Sequence, residues 1–501
     1  MSVGLRTVML TIVLAAGLAG VFYMGFSFAG EDSRGFIPSL EVVGDVQDPL
    51  VLRELDEDAF LIETVHLRDG TARAVSLEDL LRKAVPRSDD IDLLLVGDDG
   101  RTALLRGVDL SGIRVALDEQ YGWEVVNGEH PVSSHARMLR EIVVIARELP
   151  PGEGIGVIDA DSNLLRLSAG ELHRGGYSVV MRQAGISSVA GDDEELAVSL
   201  FDRERIVDLE GFVDAFALDL ALVVGDRGEM QLLRGDGRFL LDRNRISYAE
   251  GEDVLIEEVR GLVLDPPDRM ITDVYRDAQQ FLHEEEPLLL LLLDGLGYHQ
   301  YVEAAEGGHA PFLRSLPQPE KALAAYPPVT PVNFAAALTG VTPDQSGVTR
   351  RGIRTAEVPT IFDLSLQLGR KATAILGSIG VIGLEIDPVL CVDKNSDGST
   401  DDEIRDAALA RFTGDYDLIL VHFKDIDRAG HDHGAQAAET LEQIRRIDGY
   451  VSDLVRAWDG HVVIFSDHGM HTTEEGGDHG VFRVEDMIIP YWTFDGGRIH
   501  E

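Results

Sequence analysis

The stretch "DLILVHFKDIDRAGHDHG", Asp417–Gly434, sets an unbroken apolar run against a segment crowded with aspartate and histidine. Apolar residues in succession, without polar alternation, are the pattern of a strand buried on both faces of a sheet. In open α/β sheets ligands collect beyond the carboxyl ends of the strands. The acidic and imidazole groups after "LILVHF" are therefore expected to form one part of a site whose remainder comes from other strands.

Three other runs share this texture: "PLLLLLL" (287–293), "ATAIL" (372–376) and "HVVIF" (461–465). Between Phe423 and His461, "AETLEQIRRIDGYVSDLVRAW" has helical spacing. The alternation predicts an α/β domain over 285–501, a mostly parallel sheet with helices on both faces.

Asp294 follows the first run, in "LLLDGLGY". Asp427 and His431 follow the Leu418 run, Asp467 and His468 lie in "FSDHGM", and His479 stands between glycines in "GGDHG". One aspartate after a strand is an ordinary turn or cap residue. Repetition at three strands, two with a nearby histidine, points to convergence on one crevice. These carboxylates and imidazoles are too many for one tetrahedral ion with an open position, and they suit two. Two ions about 4 Å apart clamp the attacking and leaving oxygens of an in-line displacement. Phosphoryl or sulfuryl transfer is the chemistry expected.

Cys391 is the single cysteine, so oxygen and nitrogen donors must serve, which suits zinc or manganese. Thr330, in "YPPVTPVNFAAALTG", is the candidate nucleophile. It is expected as a helix N-cap with Pro331 at the first helical position, where the helix dipole favours an ionised hydroxyl. His422 and His433 are expected in supporting or solvent-facing roles, and His299, His309 and His471 have no evident partners.

The order Asp294, Thr330, Asp427-x-x-Gly430-His431, Ser466-Asp467-His468-Gly469-Met470 and Gly477-Asp478-His479-Gly480 resembles the alkaline phosphatase superfamily, in its type I phosphodiesterase/nucleotide pyrophosphatase branch. Thr330, Asn333, Thr339 and Gly340 reproduce that branch's spacing around its threonine. The resemblance covers roughly 286–495. It implies that Asp427, His431 and His479 hold one zinc, and that Asp294, Thr330, Asp467 and His468 hold the other. It also implies that Thr330 attacks phosphorus to give a phosphothreonine, with Asn333 beside it in the catalytic segment. One departure stands out. Where the branch's diester enzymes carry an asparagine that binds a phosphoryl oxygen, this chain has Arg351. A guanidinium pairs bidentately with two oxygens and so favours a monoester dianion.

A second metal reading attaches to "DKNSDGSTDDE". Asp393, Asn395, Asp397, Ser399 and Asp401 fall at ligand positions of a calcium loop, with Gly398 at the turn, but Ile404 stands where a bidentate glutamate belongs. A structural calcium site and a plain acidic turn are both open readings.

Over 501 residues the formal charge is −44, from 88 acidic against 44 basic groups. Such a surface repels phosphate backbones and excludes nucleic-acid duplex as a partner. At the N-terminus, Thr7 to Gly30 carries no charged side chain, and the run is long enough to span a bilayer. Residues 1–30 are expected as a single-pass membrane anchor with the catalytic domain outside the cytoplasm, or as a signal peptide whose cleavage releases a secreted protein. A stalk over 31–50 is expected next. Beyond it, "VGDDGRTALLRG" (96–107) aligns without a gap to "VGDRGEMQLLRG" (224–235). Strand, tight turn and strand would explain each copy. Residues 51–160 and 161–275 are expected as two related α+β units.

The function the resemblance implies is metal-dependent, phosphodiesterase/nucleotide pyrophosphatase-like hydrolysis of phosphate esters through Thr330 and two metal ions, outside the cytoplasm. The alternatives are a phosphomonoesterase, phosphonate hydrolase or phospho-headgroup transferase on the same scaffold, or a surface binding module carrying an inactive hydrolase.

Overall fold

The duplicated motif folds twice in the same way. The computed structural model describes residues 38–497 apart from 68–69, 108, 120, 128–135, 191–194, 214–217, 219 and 415, and it divides into two compact units at Glu148/Leu149. The first unit contains a five-stranded sheet in the order Leu50–Leu52, Leu40–Gly44, Leu139–Ala146, Ile91–Gly97, Thr102–Arg106. The second unit begins with a sheet in the corresponding order Asn163–Leu167, Ile155–Ile158, Val259–Val263, Leu222–Gly225, Met230–Leu232. In each sheet one pairing is parallel, at the equivalent place. The correspondence reaches individual hydrogen bonds. Gly97 N–H donates to Arg101 O at 2.8 Å, and Gly225 N–H donates to Glu229 O at 2.9 Å. The turns close through Gly100 and Gly228, whose φ values of 79° and 81° suit glycine.

Several sequence boundaries move. Residues 40–44, expected within a stalk, are a strand of the first sheet with Leu40, Val42 and Val43 fully buried. The second copy starts with Ile155–Ile158, ahead of residue 161. The apolar run 1–30 lies outside the described residues. Among those described, no helix is long and apolar enough to cross a membrane.

The C-terminal part is built on eight strands: β1 (Arg269–Met270), β2 (Leu288–Leu293), β3 (Glu320–Leu323), β4 (Ala372–Leu376), β5 (Val389–Leu390), β6 (Leu418–Phe423), β7 (His461–Phe465) and β8 (Ile488–Asp495). Their order is β1-β3-β8-β7-β2-β6-β4-β5. The four apolar runs read from sequence form the contiguous block β7-β2-β6-β4, mutually parallel. β8 is antiparallel to both of its neighbours, so the sheet is mixed.

Helices α1 (Asp273–Glu284), α2 (Tyr298–Glu306), α3 (Thr330–Thr339), α4 (Ile361–Gln367), α5 (Asp401–Leu409), α6 (Asp425–His433) and α7 (Ala438–Ala457) accompany it. Leu288, Leu290 and Leu292 of β2 face one core with Val274 of α1, Phe334 of α3 and Phe362 of α4. Leu289, Leu291 and Leu293 face the other, with Ile404 of α5 and Ile444, Ile447 and Val451 of α7. Two-sided burial is why the strands are continuous apolar runs. Because α1 packs into the first core, this C-terminal α/β part begins before residue 285.

The second copy packs on this sheet within the same unit. The Phe482 ring lies so close over Gly261 that a Cβ there would come within 2.1 Å of it. Asn163 accepts from Val484 N–H and donates to Glu485, which helps hold the 479–487 segment that carries His479.

Candidate active site

Asp294 leaves the end of β2, Lys424 and α6 follow β6, and Ser466-Asp467-His468 leave β7. These three strands are neighbours, so their termini bring the groups together at one edge. Two groups have metal-ligand spacing: Asp427, His431 and His479, and Asp294, Asp467 and His468. His468 of one group stacks on His479 of the other at 3.6 Å between ring centroids, so the two adjoin.

Asp427 and His431 lie one helical turn apart on α6, where i and i+4 side chains share a face. Gly430 serves packing, since a Cβ there would meet Met470 Sδ at 2.4 Å.

Thr330 departs from expectation. It is the first residue of α3 and Val329 is the cap, with no side-chain capping bond. Its hydroxyl is left to the site: Oγ1 lies 3.3 Å from His468 Nε2 and 3.5 Å from Asp294 Oδ1.

The three site histidines are held alike. Nδ1 of His431 faces Gly477 O, that of His468 faces Gly469 O, and that of His479 faces Pro328 O, each at 2.9 Å. A carbonyl only accepts, so each ring carries its proton on Nδ1 and turns the Nε2 lone pair to the site. This is how proteins orient imidazole ligands for a metal. Asp427 Oδ1 and Asp467 Oδ2 are buried without a hydrogen-bond partner. Burial, with the Asp467 and Asp427 charges next, holds the Asp294 carboxyl well above the usual range. Burial also raises Asp427 and depresses His479. Orphaned carboxylate oxygens, aimed lone pairs and crowded anions are what a divalent cation relieves, so the residues fit two such ions.

His422, expected in a supporting or solvent-facing role, takes the supporting one: it is fully buried with Nε2 2.9 Å from Asp294 Oδ2. It fixes that carboxylate so that Oδ1 faces Thr330. His471 also has a partner invisible in sequence, Asp486 Oδ1 at 2.8 Å. His433 is exposed.

Asn333 does not reach the site. Its Oδ1 accepts from Ala325 N–H at 2.7 Å, and its Nδ2 donates to Ala325 O at 3.0 Å and Pro327 O at 3.3 Å. Fully buried, it clamps the loop leading into Thr330 and is a positioning residue. Arg351 does reach the site, with Nη2 3.1 Å from His479 Nε2.

Beside the two Asp/His groups opens a cavity of about 520 Å³, lined by Asp294, Thr330, Arg351, Arg354, Ser378, Thr400, Lys424 and Arg428 among others. Of the candidate calcium loop, Asp393 accepts from the Ser396 and Gly398 N–H groups, and Asn395 and Asp397 accept from residues two further on. Ser399 donates to Asp425, and the fully buried Asp401 accepts from Lys424 and Asp425 N–H at the start of α6. These oxygens serve the loop backbone and α6, and the loop forms a wall of the cavity through Gly398 and Thr400.

The family model for type I phosphodiesterase / nucleotide pyrophosphatase matches residues 385–491. The catalytic subunit of human GPI ethanolamine phosphate transferase 3 is 33% identical over 70 residues, which is 14% of this chain and 6% of that protein. Similar solved structures include murine ectonucleotide pyrophosphatase/phosphodiesterase 5 in an inactive form with AMP (14% identity, TM-score 0.32, 37% of this chain and 57% of that one). Phosphonoacetate hydrolase from Sinorhizobium meliloti 1021 with phosphonoformate is another (16% identity, TM-score 0.31, the same coverages). The chain thus spans a small part of the transferase and somewhat over half the length of these structures. The matched segment carries Asp427, His431, Asp467, His468 and His479, and over this stretch the chain is similar to the type I phosphodiesterase / nucleotide pyrophosphatase family.

Proposed function

We propose that the protein is a two-metal phosphoric ester hydrolase that uses Thr330 as nucleophile. The observation that carries this reading is the hydroxyl of Thr330 set against Asp294 and His468, with both Asp/His groups preassembled around it. Asp427, His431 and His479 would hold one ion, and Asp294, Thr330, Asp467 and His468 the other, zinc or manganese by donor type. When bound, the ions favour the ionised Thr330 oxygen and stabilise charge on the phosphoryl and leaving oxygens.

The chain's own residues do the rest. The Asn333 clamp and the His479–Pro328 contact fix the loop that presents Thr330. Its Oγ bonds to phosphorus as the ester oxygen departs with the bonding pair, which leaves a phosphothreonine. Arg351 pairs with the non-bridging phosphoryl oxygens. Water then attacks phosphorus, and the Thr330 oxygen leaves in turn. Because Arg351 can engage two oxygens, monoester dianions are favoured over diesters. Transfer to an alcohol in place of water gives a headgroup transferase on the same site, a second reading that the similarity to the ethanolamine phosphate transferase favours.

The sequence supports an extracytoplasmic, membrane-anchored location through residues 7–30. A small phosphate ester is the partner expected in the cavity. Metal content should be measured together with turnover of p-nitrophenyl phosphate and bis(p-nitrophenyl) phosphate, for the native chain and Thr330→Ala. About two transition-metal ions per chain with Thr330-dependent turnover supports the reading; under one ion and no turnover sinks it, and leaves a binding module with an inactive hydrolase.

A further inference from the structure

The cavity beside Thr330 gathers basic side chains in a chain of net charge −44, together with the carboxylates of Asp294, Asp425 and Asp427. Arg351, Arg354, Lys424 and Arg428 all line it. Two of these are occupied: Arg428 pairs with Asp425 at 2.9 Å, and Arg354 donates to Val381 O at 2.6 Å. Arg351 lies against His479, on the phosphoryl side. Lys424 is different. Among the described residues no carboxylate forms a salt bridge with its ammonium, whose charge acts on Asp294 through space.

Its placement is built rather than incidental. Lys424 N–H donates to both Asp401 oxygens, at 3.0 and 3.1 Å, which fixes the backbone where β6 ends. The side-chain stem then crosses Gly377: a Cβ there would stand 3.6 Å from Lys424 Cδ and 3.7 Å from Cε. Ser378 and Thr400 line the cavity with it.

Topology sets the direction. Asp467, Asp294, Lys424 and Ser378 follow β7, β2, β6 and β4, four adjacent parallel strands. Strands lie about 4.8 Å apart, so Lys424 and Ser378 stand roughly 5–10 Å sideways from Asp294. That offset is the reach of a leaving group a few bonds beyond the scissile ester oxygen.

We propose that Lys424, with Ser378 and Thr400, is a subsite for a second oxyanion, carboxylate or phosphoryl, on the leaving group of the substrate. Lys424 is a specificity residue, and the substrate class is a phosphate ester anionic at both ends. This rests on the phosphoester reading above.

The test uses the metal-loaded, full-length Thr330→Ala protein, so that no ligand is consumed, with calorimetric titration of two near-isosteric probes. Phosphoglycolate carries a carboxylate where ethyl phosphate carries a methyl. Phosphoglycolate is expected to bind about ten-fold tighter. Added Lys424→Met should bring the ratio close to one, and Lys424→Arg should restore part of it. Methylenediphosphonate, titrated in parallel, tells a phosphoryl from a carboxylate by which of the two loses more affinity in Lys424→Met. Equal affinity of the first two probes, or a preference unchanged by Lys424→Met, overturns the subsite. If native protein turns over p-nitrophenyl esters and neither probe binds, the subsite alone fails. If turnover is absent as well, the phosphoester reading fails with it.

Discussion

His479 Nδ1 lies 2.9 Å from the carbonyl of Pro328, two residues before Thr330. One contact therefore couples a proposed metal ligand to the loop that presents the nucleophile. It also sets the tautomer that leaves Nε2 free to ligate. The chemistry and its scaffold are tied together at this point, and several measurable consequences depend on it.

Thr330→Ala should reduce turnover of whichever p-nitrophenyl ester is hydrolysed by on the order of 10³-fold or more. The thermal midpoint should stay near that of the native chain, because Thr330 makes no capping bond. Acid-quenched native protein should carry a phosphate on Thr330 by peptide mass spectrometry. Undiminished activity of the alanine variant would remove the residue from the mechanism.

The two Asp/His groups should empty independently. Asp427→Asn or His431→Ala should lower bound metal from about two ions per chain to about one, and Asp467→Asn should do the same at the other site. Elemental analysis of each variant checks this. Chelation should lower the thermal midpoint of the native chain, because buried carboxylate oxygens at Asp427 and Asp467 are left without partners.

Arg351→Asn should change preference rather than abolish chemistry. The ratio of diester to monoester kcat/KM is expected to rise about ten-fold, since the amide cannot pair with two phosphoryl oxygens. Side-by-side kinetics on the two p-nitrophenyl esters measure the ratio, and an unmoved ratio would leave Arg351 a rim residue.

Asn333→Ala should destabilise the protein by about 2–3 kcal/mol, because the buried Ala325 N–H and C=O lose their partners. Activity should fall too, through the loosened Thr330 loop. Denaturant midpoint and kcat together separate this from a substrate-touching role, which would cost activity without stability.

Stability should fall as pH rises toward neutrality, with Asp401 a contributor. Burial, then the neighbouring Asp425 charge, lifts its carboxyl from 3.8 to about 7. An acid with a raised folded pKa binds more protons folded than unfolded. Its contribution is therefore complete below about pH 4 and is lost by about pH 7. Denaturation midpoints measured at several values between should decline, and Asp401→Asn, which keeps an acceptor for the Lys424 N–H, should flatten that decline.

The candidate metal-binding groups were legible because metal chemistry restricts residue types. Asp294, Asp427, His431, Asp467, His468 and His479 each stand just after a buried strand or between glycines, and a strand buried on both faces cannot hide in sequence. The duplication was equally plain, because its turn needs glycine at Gly100 and Gly228. The helical form of α6 was not legible, because a nine-residue segment rich in Asp, His and Gly has little intrinsic propensity and depends on tertiary packing.

By itself the sequence determined the parallel core, the repeat and the donor set, since burial on two faces and metal coordination each demand particular side chains. Tertiary structure alone decided which atoms those side chains present. His422 became a buttress of Asp294, Asn333 a clamp beneath Thr330, and Lys424 an ammonium directed into the cavity across Gly377. The partners are up to 128 residues apart in the chain, and such pairings follow from strand order, which no local pattern encodes.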